Sequence, residues 1–180
     1  MSNACSALVI LVPEAEPLVA AYRQRYDPSA AQGMPAHITL HYPFLPPVAI
    51  GDDVLAQLQA LFAAFPAFPY ALSAARAFPD LLYLAPEPEA PFRALIAALA
   101  ARFPQTPPYG GSIPLDKIVP HLTVAHAPDP AELKALRARF TVHAAPRLPL
   151  ALRAGQVWLM DDGEGLWARR QAFRLGDEAH

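Results

Sequence analysis

The chain has 180 residues, 54% hydrophobic and only 17% charged, with a formal net charge of −2. That length fits one domain or two closely packed lobes, and the apolar content supplies ample core. Its basic residues come as scattered pairs (Arg23 with Arg25, Arg137 with Arg139, Arg169 with Arg170), which excludes a concentrated basic face for long nucleic acid. The pairs read as solvated faces of helices and of an edge strand, with a local Arg contact to a small phosphate left open. With 22 Pro and 8 Gly the chain stays below the level that marks low complexity, so proline here punctuates short elements. Cys5 is the only cysteine, which rules out an intrachain disulfide and a cysteine-rich metal site. The apolar "ALVILVP" lacks a preceding basic segment and meets Glu14 and Glu16 at once, unlike a secretory signal. No apolar run reaches membrane-spanning length. The expected location is cytoplasmic.

In chain order, "CSALVILV" is short and rich in β-branched residues, which predicts a buried strand. "EAEPLVAAYRQRY" brings Leu18, Val19, Tyr22 and Tyr26 to helical spacing. "PAHITLHYPF" predicts a second strand, because Pro35 and Pro43 bar a helix at both ends. "DDVLAQLQALFAAF" aligns Leu55, Leu58, Leu61, Phe62 and Phe65 behind acidic N-terminal residues, predicting a helix. Two strands follow, "FPYALSAARAF" and "LLYLAP". The next helix has Pro91 in its first turn and Phe92, Leu95, Ile96 and Leu99 as its stripe. A Pro/Gly-rich loop leads to another strand in "VPHLTVAHA". "DPAELKALRARF" predicts a fourth helix with Asp129 as N-cap and Pro130 at its first position. Two or three strands close the chain. "GQVWLM" and "LWARRQAF" flank "DDGEG" as a hairpin, in which Trp158 and Trp167 form a cross-strand pair. The order is βαβα ββα βα βββ.

One pattern occurs twice. His37 and Thr39 stand two apart in "HITL", and His121 and Thr123 do so in "HLTV", each with a proline just upstream. Residues two apart on a strand share a face, so Ile38 and Leu122 point the other way, into apolar packing. If the two strands meet, two imidazoles and two hydroxyls converge. That set suits displacement at phosphorus. One neutral imidazole takes a proton from the attacking oxygen and the other, protonated, gives one to the leaving oxygen, each contributing about 10²–10⁴ in rate. The Thr hydroxyls can donate to the non-bridging oxygens. This chemistry requires neither a metal nor a cofactor.

These motifs, with "YPF" (42–44), "PYGG" (108–111) and the proline directly before His121, resemble those of the 2H phosphoesterase superfamily, also called the 2′-5′ RNA ligase-like family. The resemblance implies an α+β fold in one bilobal domain over residues 1–180. Two antiparallel sheets would be related by a pseudo-twofold around a central groove, with helices outside. It implies a metal-independent cyclic phosphodiesterase, with His37 and His121 as the acid/base pair and Thr39 and Thr123 as phosphate-binding residues. The implied substrates are 2′,3′-cyclic phosphates, ADP-ribose cyclic phosphates or related small nucleotides and RNA ends. The expected partner is thus a small nucleotide or an RNA terminus, with no long duplex, no membrane and a monomeric protein. Two alternatives remain open: a non-catalytic module that holds a nucleotide or RNA end, and 2′-5′ RNA ligation by the same pair. In one respect the chain departs from the pattern. Some bacterial cyclic phosphodiesterases of the family have Arg three residues after the second Thr; here that position is His126, which strand alternation turns away from Thr123.

Three further readings concern single residues. His41 shares the strand face of His37 and is a candidate to line the groove, roughly 13 Å further along the strand. Tyr109 is a candidate to stack on a base, to close the groove or to anchor its loop, while Tyr42 and Phe44 read as packing residues rather than base platforms. A zinc site from His37, His41, His121 and His126 is chemically conceivable, but the carboxylates lie elsewhere in sequence and Thr is a poor ligand, so no metal is expected. His143 and His180 have no supporting context.

Overall fold

The computed structural model describes residues 4–177, so His180 lies outside the described residues. In chain order the elements are β1 (Ser6–Leu11), α1 (Glu16–Tyr26), α2 (Pro28–Ala31), β2 (His37–His41), α3 (Asp52–Ala63), β3 (Phe68–Phe78) and β4 (Leu81–Glu87). They continue as α4 (Ala90–Arg102), β5 (Leu122–His126), α5 (Pro130–Ala144), β6 (Leu150–Ala154), β7 (Gln156–Asp161) and β8 (Ala168–Arg174). Apart from α2, this is the predicted order. The α+β architecture is the one the motifs imply.

The strands do not form two separate sheets. They form one sheet in the order β6-β3-β4-β5-β2-β1-β7-β8, with the two His-x-Thr strands at its centre. Every pairing between strands is antiparallel, but the central one is reduced to Ile38 opposite Leu122, whereas β3 and β4 pair from Ala71 to Phe78. On one side the reason lies in the sequence. Continuing the ladder would set Leu40 opposite Pro120, which has no N–H to donate. The result is an eight-stranded sheet with a narrow waist. Its β3–β6 half is a continuous stretch of chain, while β1, β2, β7 and β8 come from the two ends.

Helices α1, α3, α4 and α5 pack with one face of this sheet in a single core that includes Leu8, Ile10, Ile38, Leu40, Leu122 and Val124. The predicted stripe of α4 is buried in full: Phe92, Leu95, Ile96 and Leu99. Phe92 meets Phe68 and Tyr70 edge to face at 5.1 and 5.0 Å. Tyr22 of α1 packs edge-on to Phe140 of α5 at 5.2 Å. Asp129 caps α5, accepting from the Ala131 N–H at 3.0 Å, as the Asp-Pro pair predicts. Asp27 and Pro28 repeat that signature and start α2, where Asp27 accepts from the Ser29 N–H at 3.0 Å.

Arg23 corrects the reading of the basic pairs. It is only 2% exposed, with its Nε donating to Asp27 at 3.0 Å and its Nη2 to the Met34 carbonyl at 3.0 Å. The helical i,i+4 spacing supplies the counter-charge that lets this guanidinium stay buried. Removing one partner of such a pair strands a charge in the interior. Arg23→Leu is therefore expected to lower the unfolding free energy by roughly 3–5 kcal/mol. Arg76→Leu, which breaks the exposed pair with Glu87, should cost no more than about 1 kcal/mol. Urea titration of both variants checks the contrast; equal effects would contradict it.

Candidate active site

Burial of Ile38 and Leu122, both 0% exposed, decides where the motif residues point. Sinking each of these side chains into the core is worth roughly 1.5–3 kcal/mol, and a one-residue slip would forfeit it. His37, Thr39, His121 and Thr123 accordingly stand half-buried on the opposite face. Antiparallel continuation of the Ile38–Leu122 register sets His37 across from Thr123 and Thr39 across from His121. In a regular ladder such partners have Cβ atoms about 4.5–5.5 Å apart, with diagonal neighbours at about 7–8 Å.

The run-up to each strand is fastened. The Ala36 N–H donates to the Glu16 carboxylate at 2.6 Å, and Arg93 donates to the Ile118 carbonyl at 2.6 Å. The two rings are then held alike. His37 Nδ1 lies 2.7 Å from the Pro35 carbonyl oxygen, and His121 Nδ1 lies 2.8 Å from that of Val119. A carbonyl oxygen only accepts, so Nδ1 carries the proton in both, and Nε2 of each neutral ring is left as a base. Phe78 and Tyr83 flank His121 at 5.6 and 5.5 Å, edge to face.

Desolvation dominates the electrostatics. Burial lowers the pKa of His37 to about 4, the Pro35 carbonyl opposing and the Arg23 and His121 charges reinforcing it. Burial also lowers that of His121, opposed by the Val119 carbonyl and reinforced by His126. Both rings are neutral at pH 7.

Thr39, Thr123 and His37 line one groove of about 340 Å³, and His121 is not among its lining residues. Asp27, Ser29, Gln32, Tyr42, Asp162 and Trp167 also line it. His126 also lines it, against the alternation argument. A β-bulge explains this: Tyr83 pairs with Thr123 but Leu82 with Ala125, so Val124 and Ala125 both enter the core and His126 returns to the groove face. The same device in β2 overturns the reading of His41. Val9 pairs with Thr39 but Leu8 with His41, which turns His41 to the core face, 0% exposed. There its Nε2 donates to the Thr106 carbonyl and its ring meets Phe44 at 5.4 Å. His41 therefore does not line the groove, and its removal also dissolves the four-histidine zinc arrangement. Among the described residues no group of three or more His, Cys, Asp or Glu is placed to hold a metal ion.

Tyr109 takes the anchoring role. It is absent from the groove lining, packs on the main core and donates its N–H to the Tyr42 carbonyl at 2.6 Å. The two tryptophans do not pair. Trp158 lies opposite Ala172 and under Arg169, 5.1 Å from ring centroid to guanidinium carbon, whereas Trp167 precedes β8 and borders the groove. His143 is exposed at the end of α5. No helix among the described residues is long and apolar enough to cross a membrane.

The sequence profile of the 2′-5′ RNA ligase superfamily matches residues 11–166, most of the chain and both motifs. The chain belongs to this superfamily. Its fold is similar to that of TT0787 of Thermus thermophilus, with a TM-score of 0.63 at 19% identity over 97% of this chain and 100% of that one. It is also similar to E. coli LigT complexed with NADP+, with a TM-score of 0.60 at 14% identity over 98% and 100%. LigT complexed with 3′-AMP gives 0.60 at 15% over 95% and 97%. At these identities the likeness carries the fold alone. No curated protein matches the chain by sequence.

In this superfamily member, the desolvated imidazole has a consequence for stability. An unfolded His37 binds a proton near pH 6.5, but the folded one does so only near 4, so protonation between those values favours unfolding. The full contribution is present above pH 6.5 and is lost as pH falls toward 4. His37→Gln should therefore flatten the decline in melting temperature between pH 6.5 and 4 relative to the parent. Identical slopes in thermal melts would mean that the ring is not desolvated.

Proposed function

We propose that the protein is a metal-independent phosphoesterase that opens a 2′,3′-cyclic phosphate, or a closely related phosphoester of a small nucleotide or RNA end. The observation that carries the reading is the matched fastening of His37 and His121, which leaves one basic Nε2 on each of two adjacent strands. Water attacks phosphorus as one Nε2 takes its proton. The bond from phosphorus to O2′ or O3′ breaks, and the other ring gives its proton to that oxygen. One water is consumed, a phosphomonoester forms and the two rings exchange protonation states. Thr39 and Thr123 donate hydrogen bonds to the non-bridging oxygens as charge shifts onto them. The reading agrees with the nucleotides held by LigT, whose fold this chain shares.

Burial keeps both rings neutral, so the acid must gain its proton as the substrate arrives. An anionic phosphate favours this, because a nearby negative charge raises the pKa of an imidazole. The free protein holds both values below 6.5. The profile of kcat/KM, which reports the free enzyme, should therefore peak on the acid side of pH 6.5, as a property of the coupled pair. A peak above pH 7 would contradict the assigned burial.

The decisive assay supplies 2′,3′-cyclic mononucleotides in EDTA. His37→Ala and His121→Ala are each expected to lower kcat/KM by about 10²–10⁴-fold. Thr123→Val should lower kcat by about 10²–10³-fold, the loss of one donor to the developing charge. Tight nucleotide binding with no turnover would instead make the groove a holding site.

A further inference from the structure

The groove extends past the two motifs. Its volume of about 340 Å³ falls within the roughly 300–1,000 Å³ of small-molecule pockets and exceeds what a phosphate group occupies. Beyond Thr39 its wall is aromatic. Tyr42 is 38% exposed and its ring meets that of Trp167 at 6.1 Å and 61°. Tyr42 reaches this wall through the bulge that sends Leu40 and His41 into the core. Trp167 is set there by its backbone: its N–H donates to the Gln32 carbonyl at 2.8 Å, tying the β7–β8 hairpin to the chain after α2. Gly33 follows at φ +87°, a backbone conformation that a side chain would strain.

Two carboxylates border the groove, and they differ. The oxygens of Asp27 are engaged by Arg23, the Ser29 N–H and the Ser29 hydroxyl. Asp162 accepts from the Cys5 N–H at 2.6 Å through Oδ1, and a carboxylate has about four lone-pair sites in all. Asp162 and Trp167 line the same groove, so a planar ring held on Trp167 has a carboxylate acceptor within the site. A ligand with a phosphate at one end and an aromatic, amine-bearing ring at the other fits this layout.

Resting on the phosphoesterase reading above, the geometry points to the corner formed by Trp167 and Tyr42 as the seat of the substrate's nucleobase, stacked on Trp167, with Asp162 accepting a hydrogen bond from its exocyclic amine. A carboxylate pairs in this way with the N4 amine of cytosine. The stacking faces serve any base, while the carboxylate favours amine-bearing ones over uracil.

The test compares two substrates that share the reacting group: cytidine 2′,3′-cyclic phosphate and the base-free methyl ribofuranoside 2′,3′-cyclic phosphate. In Trp167→Ala the ratio of kcat/KM for the first over the second should fall by about 5- to 150-fold, the range that one base–aromatic stack supplies. The fall should lie mainly in KM, and Trp167→Phe should restore most of it. Asp162→Asn should narrow the preference for cytidine over uridine substrates. A Trp167→Ala protein that loses activity on both substrates alike, leaving the ratio in place, overturns the platform. If the parent protein turns over neither substrate, the phosphoesterase reading falls. Calorimetry with cytidine 2′-monophosphate and with inorganic phosphate then decides the platform alone. Tighter nucleotide binding that Trp167→Ala abolishes sustains it, and equal binding of the two ligands overturns it.

Discussion

The contact on which the site depends is the meeting of Ile38 and Leu122 at the centre of the sheet. Both are fully buried, and each fixes by alternation the side to which its neighbours turn. Because each motif is a polar residue, an apolar one and a polar one, hydrophobic burial in the middle aims the chemistry on either side. The ladder contributes little at this point. The position of each strand is held from outside, by Glu16 at the approach to β2 and by Arg93 at the approach to β5.

The same packing that aims the imidazoles also removes water from them. A His37 that titrates near 4 is a poor base in isolation, yet a desolvated site strengthens every charge that a substrate brings with it. The arrangement thus suits an anionic ligand that carries its own means of protonating one ring. Arg23 belongs to this balance. Its charge lowers the His37 pKa while its hydrogen bonds to Asp27 and Met34 shape the adjoining wall.

Much of this was legible in the sequence. The stripes of Leu and Phe set the helices, the Asp129–Pro130 cap set the start of α5, and the two His-x-Thr strands lie side by side. What escaped were departures from strict periodicity. Each motif strand has a bulge just after its Thr, and alternation counted through it assigns both His41 and His126 to the wrong face. A bulge is set by pairing with the neighbouring strand, information that a single segment does not contain. Arg23 escaped for a related reason, since its partner four residues on was visible but the burial of the pair was not. For α2 the signal was present: Asp27–Pro28 matches the cap of α5, and the run that follows is merely too short to show a period.

The topology also orders events during synthesis. Residues 68–154 build β3, β4, β5 and β6 as an uninterrupted block, whereas β1 and β2 must wait for β7 and β8 to emerge before their half of the sheet is complete. Until then β1 presents an unpaired edge, the surface most prone to join a neighbouring nascent chain. Both histidines therefore leave the ribosome well before the groove that His37 lines is closed on its far side. Trp167, the last of the groove-lining residues in chain order, finishes the lining.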